Sequence, residues 1–363
     1  MRALMVVLTT VAVLHGLSVP AAARCRWAVF KPPSYGEHSL LAGVTAVASD
    51  DVWAFGTTMA AENQFQHFDG SSWSPIAAPS LPASTSLWAI KARSTNDVWG
   101  VGSQTSPSGA DQALIVHWNG ASWSVVPNPA QDQNSSLLSV AIVGRTDVWA
   151  AGYVNTRQGG NRPLIEHYNG QKWAVDSSYS PPSQSILQAI AGTSLSNIWT
   201  GGYYDGGASA LIETRDRRAH TWNQSVSAVG NYISSMSARS STDVWATGPP
   251  ELGGLFVEQW NGAQWNPVQY PRGGNAVIAQ VDATANSGFT WFVGDIFDGY
   301  ETVPFVDRFR DGWTDMKVVK ASRHHTLLNS VTTVPGSTDV WVAGGYGPSA
   351  SVEYNLAERY TCH

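Results

Sequence analysis

The chain has 363 residues and a formal net charge of −6, and only 13% of its residues are charged. So few Glu, Lys and Arg residues do not favour long amphipathic helices. No block rich in Lys and Arg is present, which argues against nucleic acid and anionic membrane surfaces as partners. With 34 glycines and 17 tryptophans, the composition instead favours short strands joined by tight turns.

The N-terminal segment has the pattern of a secretory signal peptide. Arg2 supplies a positive charge, residues 3–17 are mostly apolar, and residues 21–23 offer the small side chains of a cleavage site. We therefore expect a signal peptide at 1–23, a single mature domain at 24–363 and an extracellular location. A buried N-terminal helix is the alternative, but this segment lacks the repeat of the remaining chain. No later apolar run approaches the roughly 18 residues of a membrane-spanning helix.

A short motif close to Asp-Val-Trp-(Ala/Gly/Val)-x-Gly recurs along the chain at intervals of 46 or 50 residues. Its tryptophans are Trp53, Trp99, Trp149, Trp199, Trp245, Trp291 and Trp341. Between these lies a second motif, His-(Trp/Phe/Tyr)-(Asn/Asp)-Gly-x-x-Trp, with clear copies ending at Trp73, Trp123 and Trp173. Because Asn-Gly or Asp-Gly between apolar runs is a strong hairpin signal, each repeat is predicted to form four short strands, a to d.

Four strands in a repeat of this length are typical of one blade of a β-propeller. The sequence therefore predicts an all-β, seven-bladed propeller with four antiparallel strands per blade. The recurring tryptophans are expected to pack between blades, because a residue needed in every repeat is structural. The Asp of the first motif is expected to accept a backbone hydrogen bond in the turn between strands a and b.

The last blade lacks a strand d after Trp341, and the N-terminus supplies a segment that resembles one. Residues 25–29 are similar to 171–175, and residues 356–360 are similar to 164–168. The N-terminal strand is therefore predicted to complete the seventh blade. In this alignment Cys25 and Cys362 occupy neighbouring positions of a hairpin turn, so we expect them to form a disulfide in an oxidising compartment.

These motifs resemble those of secreted bacterial propeller proteins with Asp-Val-Trp-Ala-x-Gly and His-Trp-Asn-Gly-x-x-Trp repeats, which are loosely kelch-like. The resemblance covers the mature chain and implies the fold, but propellers host many unrelated functions. Galactose oxidase, also kelch-like, needs a copper site with a Cys cross-linked to a Tyr. Both cysteines are assigned here to ring closure, so that chemistry is not expected.

One candidate catalytic cluster lies where blades six, seven and one meet, in loops that break the repeat. The cluster contains the catalytic candidates His38, His324, His325, Asp295, Asp298 and Glu301, with Glu37 beside His38. Imidazole and carboxylate groups together would serve as general acid and base or bind a divalent cation. No other cofactor is expected, and an ordinary solvated loop is the alternative interpretation.

Aromatic residues near the polar rim form the second candidate site. Tyr153, Tyr203 and Tyr346 each follow the glycine that ends strand b and are predicted to be equivalent. The binding candidates are Tyr153, Tyr203, Tyr204, Tyr300, Tyr346 and Trp88. Flat rings of this kind suit sugar stacking or a protein contact, although tyrosines also cover hydrophobic blade edges.

Three functions are compatible with this sequence. The first is a monomeric extracellular binding module that holds a glycan or protein ligand on the face formed by the d–a and b–c loops. The second is a carbohydrate-active enzyme, either a polysaccharide lyase or a hydrolase, which would use the His/acid cluster. The third is a purely structural surface protein.

Overall fold

The computed structural model describes most of the chain beyond the predicted signal peptide. It covers residues 25–36, 38–58, 63–82, 84–130, 134–156, 159–179, 184–204, 206, 209–228, 232–248, 255–272, 276–283, 288–297, 301–318, 325–349 and 352–362. The signal peptide at 1–23 lies outside these residues, as do four candidate site residues, Glu37, Asp298, Tyr300 and His324.

The described residues form 28 β-strands and no α-helix. The first strand is β1 (Cys25–Phe30). The first three four-stranded units that follow are β2 (Leu40–Ala48), β3 (Asp51–Thr57), β4 (Asn63–Phe68), β5 (Trp73–Ile76); β6 (Thr85–Ser94), β7 (Asp97–Thr105), β8 (Asp111–Trp118), β9 (Trp123–Val125); and β10 (Ser135–Gly144), β11 (Asp147–Asn155), β12 (Asn161–Tyr168), β13 (Trp173–Val175).

The second half of the chain continues the same order. Its strands are β14 (Ile186–Ser194), β15 (Asn197–Tyr204), β16 (Ser209–Asp216), β17 (Thr221–Ser225); β18 (Ser235–Ser240), β19 (Asp243–Gly248), β20 (Phe256–Trp260), β21 (Trp265–Val268); β22 (Ala276–Asp282), β23 (Thr290–Phe297), β24 (Thr302–Phe309), β25 (Trp313–Asp315); and β26 (His325–Thr333), β27 (Val340–Ser349), β28 (Val352–Cys362).

Each unit is an antiparallel sheet in which the strands pair in chain order. The first five units, from β2–β5 to β18–β21, are separate four-stranded sheets. The sixth unit, β22–β25, and the seventh, which joins β26–β28 to β1, meet at one parallel pair between Thr302 and His325. The structure confirms the predicted repeat of four short antiparallel strands.

The first strands of the units stand side by side in a closed ring. Each contacts the first strand of the next unit, and β26 contacts β2. Side-chain hydrogen bonds link adjacent units around the ring. Between the third and fourth units, the backbone N–H of Ile190 donates to Ser139 Oγ over 3.1 Å. The N–H of Val44 donates in the same way to Ser330 Oγ over 3.0 Å, between the seventh unit and the first. These bonds satisfy inner-strand amides that the sheets leave unpaired.

The tryptophan of each second strand packs against aromatic residues of the next unit. Trp99 lies 5.0 Å from the ring of Tyr168 and 5.5 Å from that of Trp173. Trp341 closes the circle, because it lies 4.8 Å from Phe68 and 5.5 Å from Trp73 of the first unit. The predicted packing role of the tryptophans between units is confirmed.

The Asp that precedes Val-Trp has a different role from the predicted one. Asp97 Oδ1 accepts hydrogen bonds from Trp99 Nε1 over 2.7 Å and from His117 Nε2 over 2.8 Å, while His117 stacks on the indole at 4.0 Å. The prediction of a backbone bond in the turn is wrong here, because the carboxylate lies against three side-chain donors of its own sheet, the third being Arg93 Nε. It thereby fixes the tryptophan for packing on the next unit.

The two ends of the chain meet in the seventh unit. β1 pairs antiparallel with β28, which places Trp27 opposite Tyr360 and Cys25 opposite Cys362. The two cysteines form a disulfide with a Cα–Cα separation of 4.0 Å, 337 residues apart in sequence. Both sequence predictions, the shared sheet and the disulfide, are confirmed. Within the described ranges, no helix has the length and apolar character needed to cross a membrane.

Replacing both cysteines, Cys25→Ala with Cys362→Ala, is expected to lower the free energy of unfolding by about 2–4 kcal/mol, because the disulfide restricts the unfolded chain over a very long loop. Guanidinium unfolding followed by tryptophan fluorescence measures the change. Wild-type protein with the disulfide reduced is the matched control and should unfold at the midpoint of the double variant. Equal midpoints for oxidised wild type and variant would contradict a stabilising disulfide.

Candidate binding site at the centre of the ring

The ring encloses a central cavity of about 150 Å³. All seven inner strands, or the residues just before them, contribute to its lining. We call the end of the ring that carries the connections between units, and between second and third strands, the upper face. The opposite end, with the tight turns, is the lower face.

A β-bulge at one equivalent position shapes the upper part of this cavity. Six inner strands show a register shift that leaves one residue without a partner on the second strand. These residues are Ala42, Trp88, Leu138, Gln188, Ala279 and Asn329, and all six line the cavity. A bulged residue is turned out of the regular alternation of the strand. The bulge therefore determines which side chains enter the centre of the ring.

Trp88 is the most prominent of these side chains. It is 52% exposed, and it is the only exposed tryptophan among the described residues. It lies near the start of β6, so its indole stands at the upper mouth of the cavity, where the sequence predicted a binding residue. A large aromatic ring that is held by a sheet and yet exposed is typical of a binding anchor.

Two polar side chains of the lining have no partner among the residues that the structure describes. Ser330 and Gln280 are occupied by bonds between units, and Asn329 donates to the carbonyl of Leu41 over 3.0 Å. Lys91 and Gln188, by contrast, form no hydrogen bond or ion pair within the described ranges. Among the described residues of the lining, Lys91 is the only charged one. The cavity lining therefore combines one aromatic surface with a cation and an amide that have no partner in the described part of the chain.

The described members of the predicted catalytic cluster have separate partners. His325 is buried in β26, and its Nε2 lies 2.7 Å from Oε1 of Glu353, a residue that the sequence analysis did not select. Asp295 Oδ1 accepts a hydrogen bond from the backbone N–H of Leu328 over 3.3 Å, and burial raises its pKa to about 7. No hydrogen bond joins His325 to Asp295 in the described part of the chain.

The two other described members of the cluster, Glu301 and His38, lie in connections of the upper face. Glu301 directly precedes Thr302, the backbone partner of His325. His38 adopts a left-handed backbone with φ of 64° and is half-buried. In the described ranges no three His, Cys, Asp or Glu side chains converge as a metal site would require. A divalent-cation site would therefore need Glu37, Asp298 or His324, which lie outside those ranges.

The predicted binding tyrosines do not share one environment. Tyr203 contacts Tyr232 at 4.9 Å; burial raises the pKa of Tyr153, with smaller contributions from Asp111 and Tyr203 nearby. Tyr204 packs against the hydrophobic core between the third and fourth units. Tyr300 lies outside the described residues.

Tyr346 is not equivalent to Tyr153, which corrects the sequence alignment. In β11, Tyr153 directly follows Gly152 and pairs with Pro163. In β27 the residue equivalent to Tyr153 is Gly345, which pairs with Asn355. Tyr346 comes one residue later, so it belongs to the other side of its strand. There it contacts Tyr354 at 5.8 Å and lies 4.9 Å below the ammonium group of Lys31.

Buried carboxyl groups of the third strands are the residues that sequence reasoning missed. Glu166 and Glu258 occupy equivalent positions and hold the connections that form the upper face: the N–H of Ala130 donates to Glu166 over 3.0 Å, and that of Ala228 to Glu258 over 2.8 Å. Burial raises the pKa of Glu166 to about 7 and also raises that of Glu258. Their signal in the sequence is the acid within Leu-Ile-Glu-His-Tyr and Phe-Val-Glu-Gln-Trp.

Comparison with solved structures defines the fold class. A structure described as YCF48 bound to D1 peptide matches with a TM-score of 0.60 and 13% identity, and the match covers 92% of this chain and 96% of the other. A chain from a crystal structure of the mitotic checkpoint complex matches with a TM-score of 0.56 and 10% identity, covering 98% of both chains. No protein-family model and no curated protein matches the sequence.

Both structural neighbours are β-propeller proteins, and their matches extend over nearly the whole chain. Together with the repeated four-stranded sheets, they show that this protein has a β-propeller fold. At identities this low the comparison defines the fold alone.

Glu166→Gln is expected to reduce the pH dependence of stability. The pKa of Glu166 is about 7 in the folded protein and near 4.5 when exposed, so the unfolded chain loses this proton first as pH rises. Stability should therefore fall between about pH 4.5 and 7, by at most about 1.4 kcal/mol per pH unit for this group, and then level off.

Urea unfolding across this pH range measures the effect as the difference between wild type and variant. Asp50→Asn, a change at an exposed turn carboxylate, is the control and should follow wild type. A Glu166→Gln protein with the same pH slope as wild type would contradict the raised pKa.

Proposed function

We propose that this protein is a secreted, seven-bladed β-propeller that binds a protein partner at the upper mouth of its central cavity. The observation that carries the proposal is the exposed indole of Trp88, held at a β-bulge in a cavity lining that also contains the unpaired side chains of Lys91 and Gln188. The predicted signal peptide at 1–23 supports an extracellular setting, and we take the protein to act as a monomer.

The energetics of protein recognition favour Trp88 as the anchor. Tryptophan is enriched among residues that dominate binding energy, because a large rigid ring buries much area at little cost in conformational entropy. Lys91 and Gln188 would pair with a carboxylate and a backbone amide of an inserted segment. One structural neighbour is described with a bound peptide and the other as part of a complex, which is consistent with a protein ligand.

A glycan ligand is the second candidate, and one observation favours it. Tyr153, Tyr203 and Tyr232 follow one another along the upper ends of three neighbouring blades, which provides flat rings for stacking on sugars. The carbohydrate-active enzyme alternative depended on convergence of the predicted cluster of His and acidic residues. Since His325 bonds to Glu353 and Asp295 to a backbone amide, we do not adopt it.

Trp88→Ala is expected to weaken peptide binding by at least about tenfold, because it removes the anchor from the mouth of the cavity. A random peptide library displayed on phage is panned on the wild-type protein, and the enriched peptides are measured by calorimetry. Tyr35→Ala is the matched control, since Tyr35 is an exposed aromatic residue of the upper face that does not line the cavity.

Enriched peptides that lose affinity with Trp88→Ala and keep it with Tyr35→Ala would support the proposal. Unchanged affinity for Trp88→Ala, or no enrichment at all, would overturn it. Soluble glucan, xylan and chitin oligosaccharides form the second arm of the experiment. If they bind while no peptide does, the glycan candidate replaces the protein partner.

A further inference from the structure

The lower face of the sixth unit carries an arginine whose carboxylate partner has been lost from the repeat. In the seventh unit Arg359 stands opposite Trp341, and both its Nε and its Nη2 donate to Asp339, the acid of the Asp-Val-Trp motif. Both donors reach the same oxygen, Oδ2, in a charge-assisted contact between guanidinium and carboxylate.

In the sixth unit the arginine remains but the acid does not. Arg308 stands opposite Trp291 as Arg359 stands opposite Trp341, and Phe289 occupies the position of Asp339. The Arg308 guanidinium lies 4.3 Å from the centre of the Phe289 ring. Its Nε is buried and has no hydrogen-bond acceptor. The chain therefore supplies no carboxylate to this guanidinium, and the half-buried Arg308 side chain remains partly accessible from the lower face.

A second arginine lies on the same ring. The guanidinium of Arg310, directly after the same strand, is 5.3 Å from the centre of the Phe289 ring, and Arg310 is exposed. Neither Arg308 nor Arg310 forms an ion pair in the part of the chain that the structure describes. The equivalent acid of the fifth unit, Asp243, is already bonded to Arg239, whose other nitrogen donates to Thr290.

We propose that Arg308 and Arg310, held on Phe289, bind a carboxylate supplied by an acidic segment of a partner protein. The seventh unit shows the chemistry that an arginine at this position engages, since Asp339 fills the same role from within the chain. Arg310 is exposed on the open lower surface, which suits a side chain of a macromolecule better than a small metabolite, because small ligands are mostly held in enclosed pockets.

This site goes beyond the upper-face function. It lies at the opposite end of the ring from Trp88, so one partner segment could occupy either site without the other. Contact with the Phe289 ring holds both guanidinium groups in place before binding. Because these side chains are already ordered, less conformational entropy is lost when the carboxylate binds.

The test uses the mature chain and acetylated, amidated hexaglutamate as probe, with hexaglutamine as the neutral reference, in calorimetry at low ionic strength. Wild type should bind hexaglutamate and not hexaglutamine. Arg308→Gln with Arg310→Gln should weaken binding by at least about tenfold. Arg217→Gln with Arg218→Gln, the same change of charge at the corresponding turn of the fourth unit, should leave it unchanged.

Two further arms keep the result decisive. Arg310→Gln alone changes an exposed residue and should fold normally, as circular dichroism will show, while reducing the affinity. Phe289→Asp would restore the internal acid and should also abolish binding. Unchanged affinity in the folded Arg310→Gln protein and in the double variant would overturn the proposal, and so would displacement of the peptide by an equal concentration of inorganic phosphate.

Discussion

The antiparallel pairing of β1 with β28 is the contact on which the rest of the structure depends. Every unit presents a tryptophan to the next, and an open row of units would leave the last of these, Trp341, without its neighbours Phe68 and Trp73. By supplying the outer strand of the seventh unit from the N-terminus, the chain joins its ends across one sheet. The disulfide between Cys25 and Cys362 then replaces the covalent turn that other units possess.

The two proposed binding sites both arise where one unit carries a residue that the equivalent positions of the other units lack. At the centre, the β-bulge turns Trp88 out of the sheet and into the mouth of the cavity. On the lower face, the exchange of an acid for Phe289 leaves Arg308 without a partner. The bulge is shared by six inner strands, but only the second unit places a tryptophan at it; on the lower face, the sixth unit has Phe289 where the seventh has Asp339.

The sequence was sufficient for the architecture because its signals are periodic. Tryptophan spacing and Asn-Gly turns predict the strands, and alignment of residues 25–29 with 171–175 predicts the closing strand and the disulfide. The register of each strand is harder to predict from the sequence. One additional glycine, Gly345, shifts Tyr346 relative to Tyr153, and the bulge at Trp88 has no distinct residue pattern.

Pairings between distant residues were the least predictable. The sequence analysis placed His325 in a cluster with Asp295, but the partner of His325 is Glu353. Glu353 comes close to His325 only because β26 and β28 lie on the two sides of β27. The buried glutamates, such as Glu166, were visible as acids in apolar strands. Their role in holding the connections of the upper face depends on contacts between units, which periodicity does not reveal.

Hydrogen exchange on a chain that lacks residues 25–30 and carries Cys362→Ala tests most directly whether the whole ring depends on its closing strand. The variant that loses only the disulfide is the reference. If closure supports every unit, amide protection should fall in all inner strands, including β10 and β14 far from the seventh unit. Loss confined to β26, β27 and β28, with full protection elsewhere, would contradict this account.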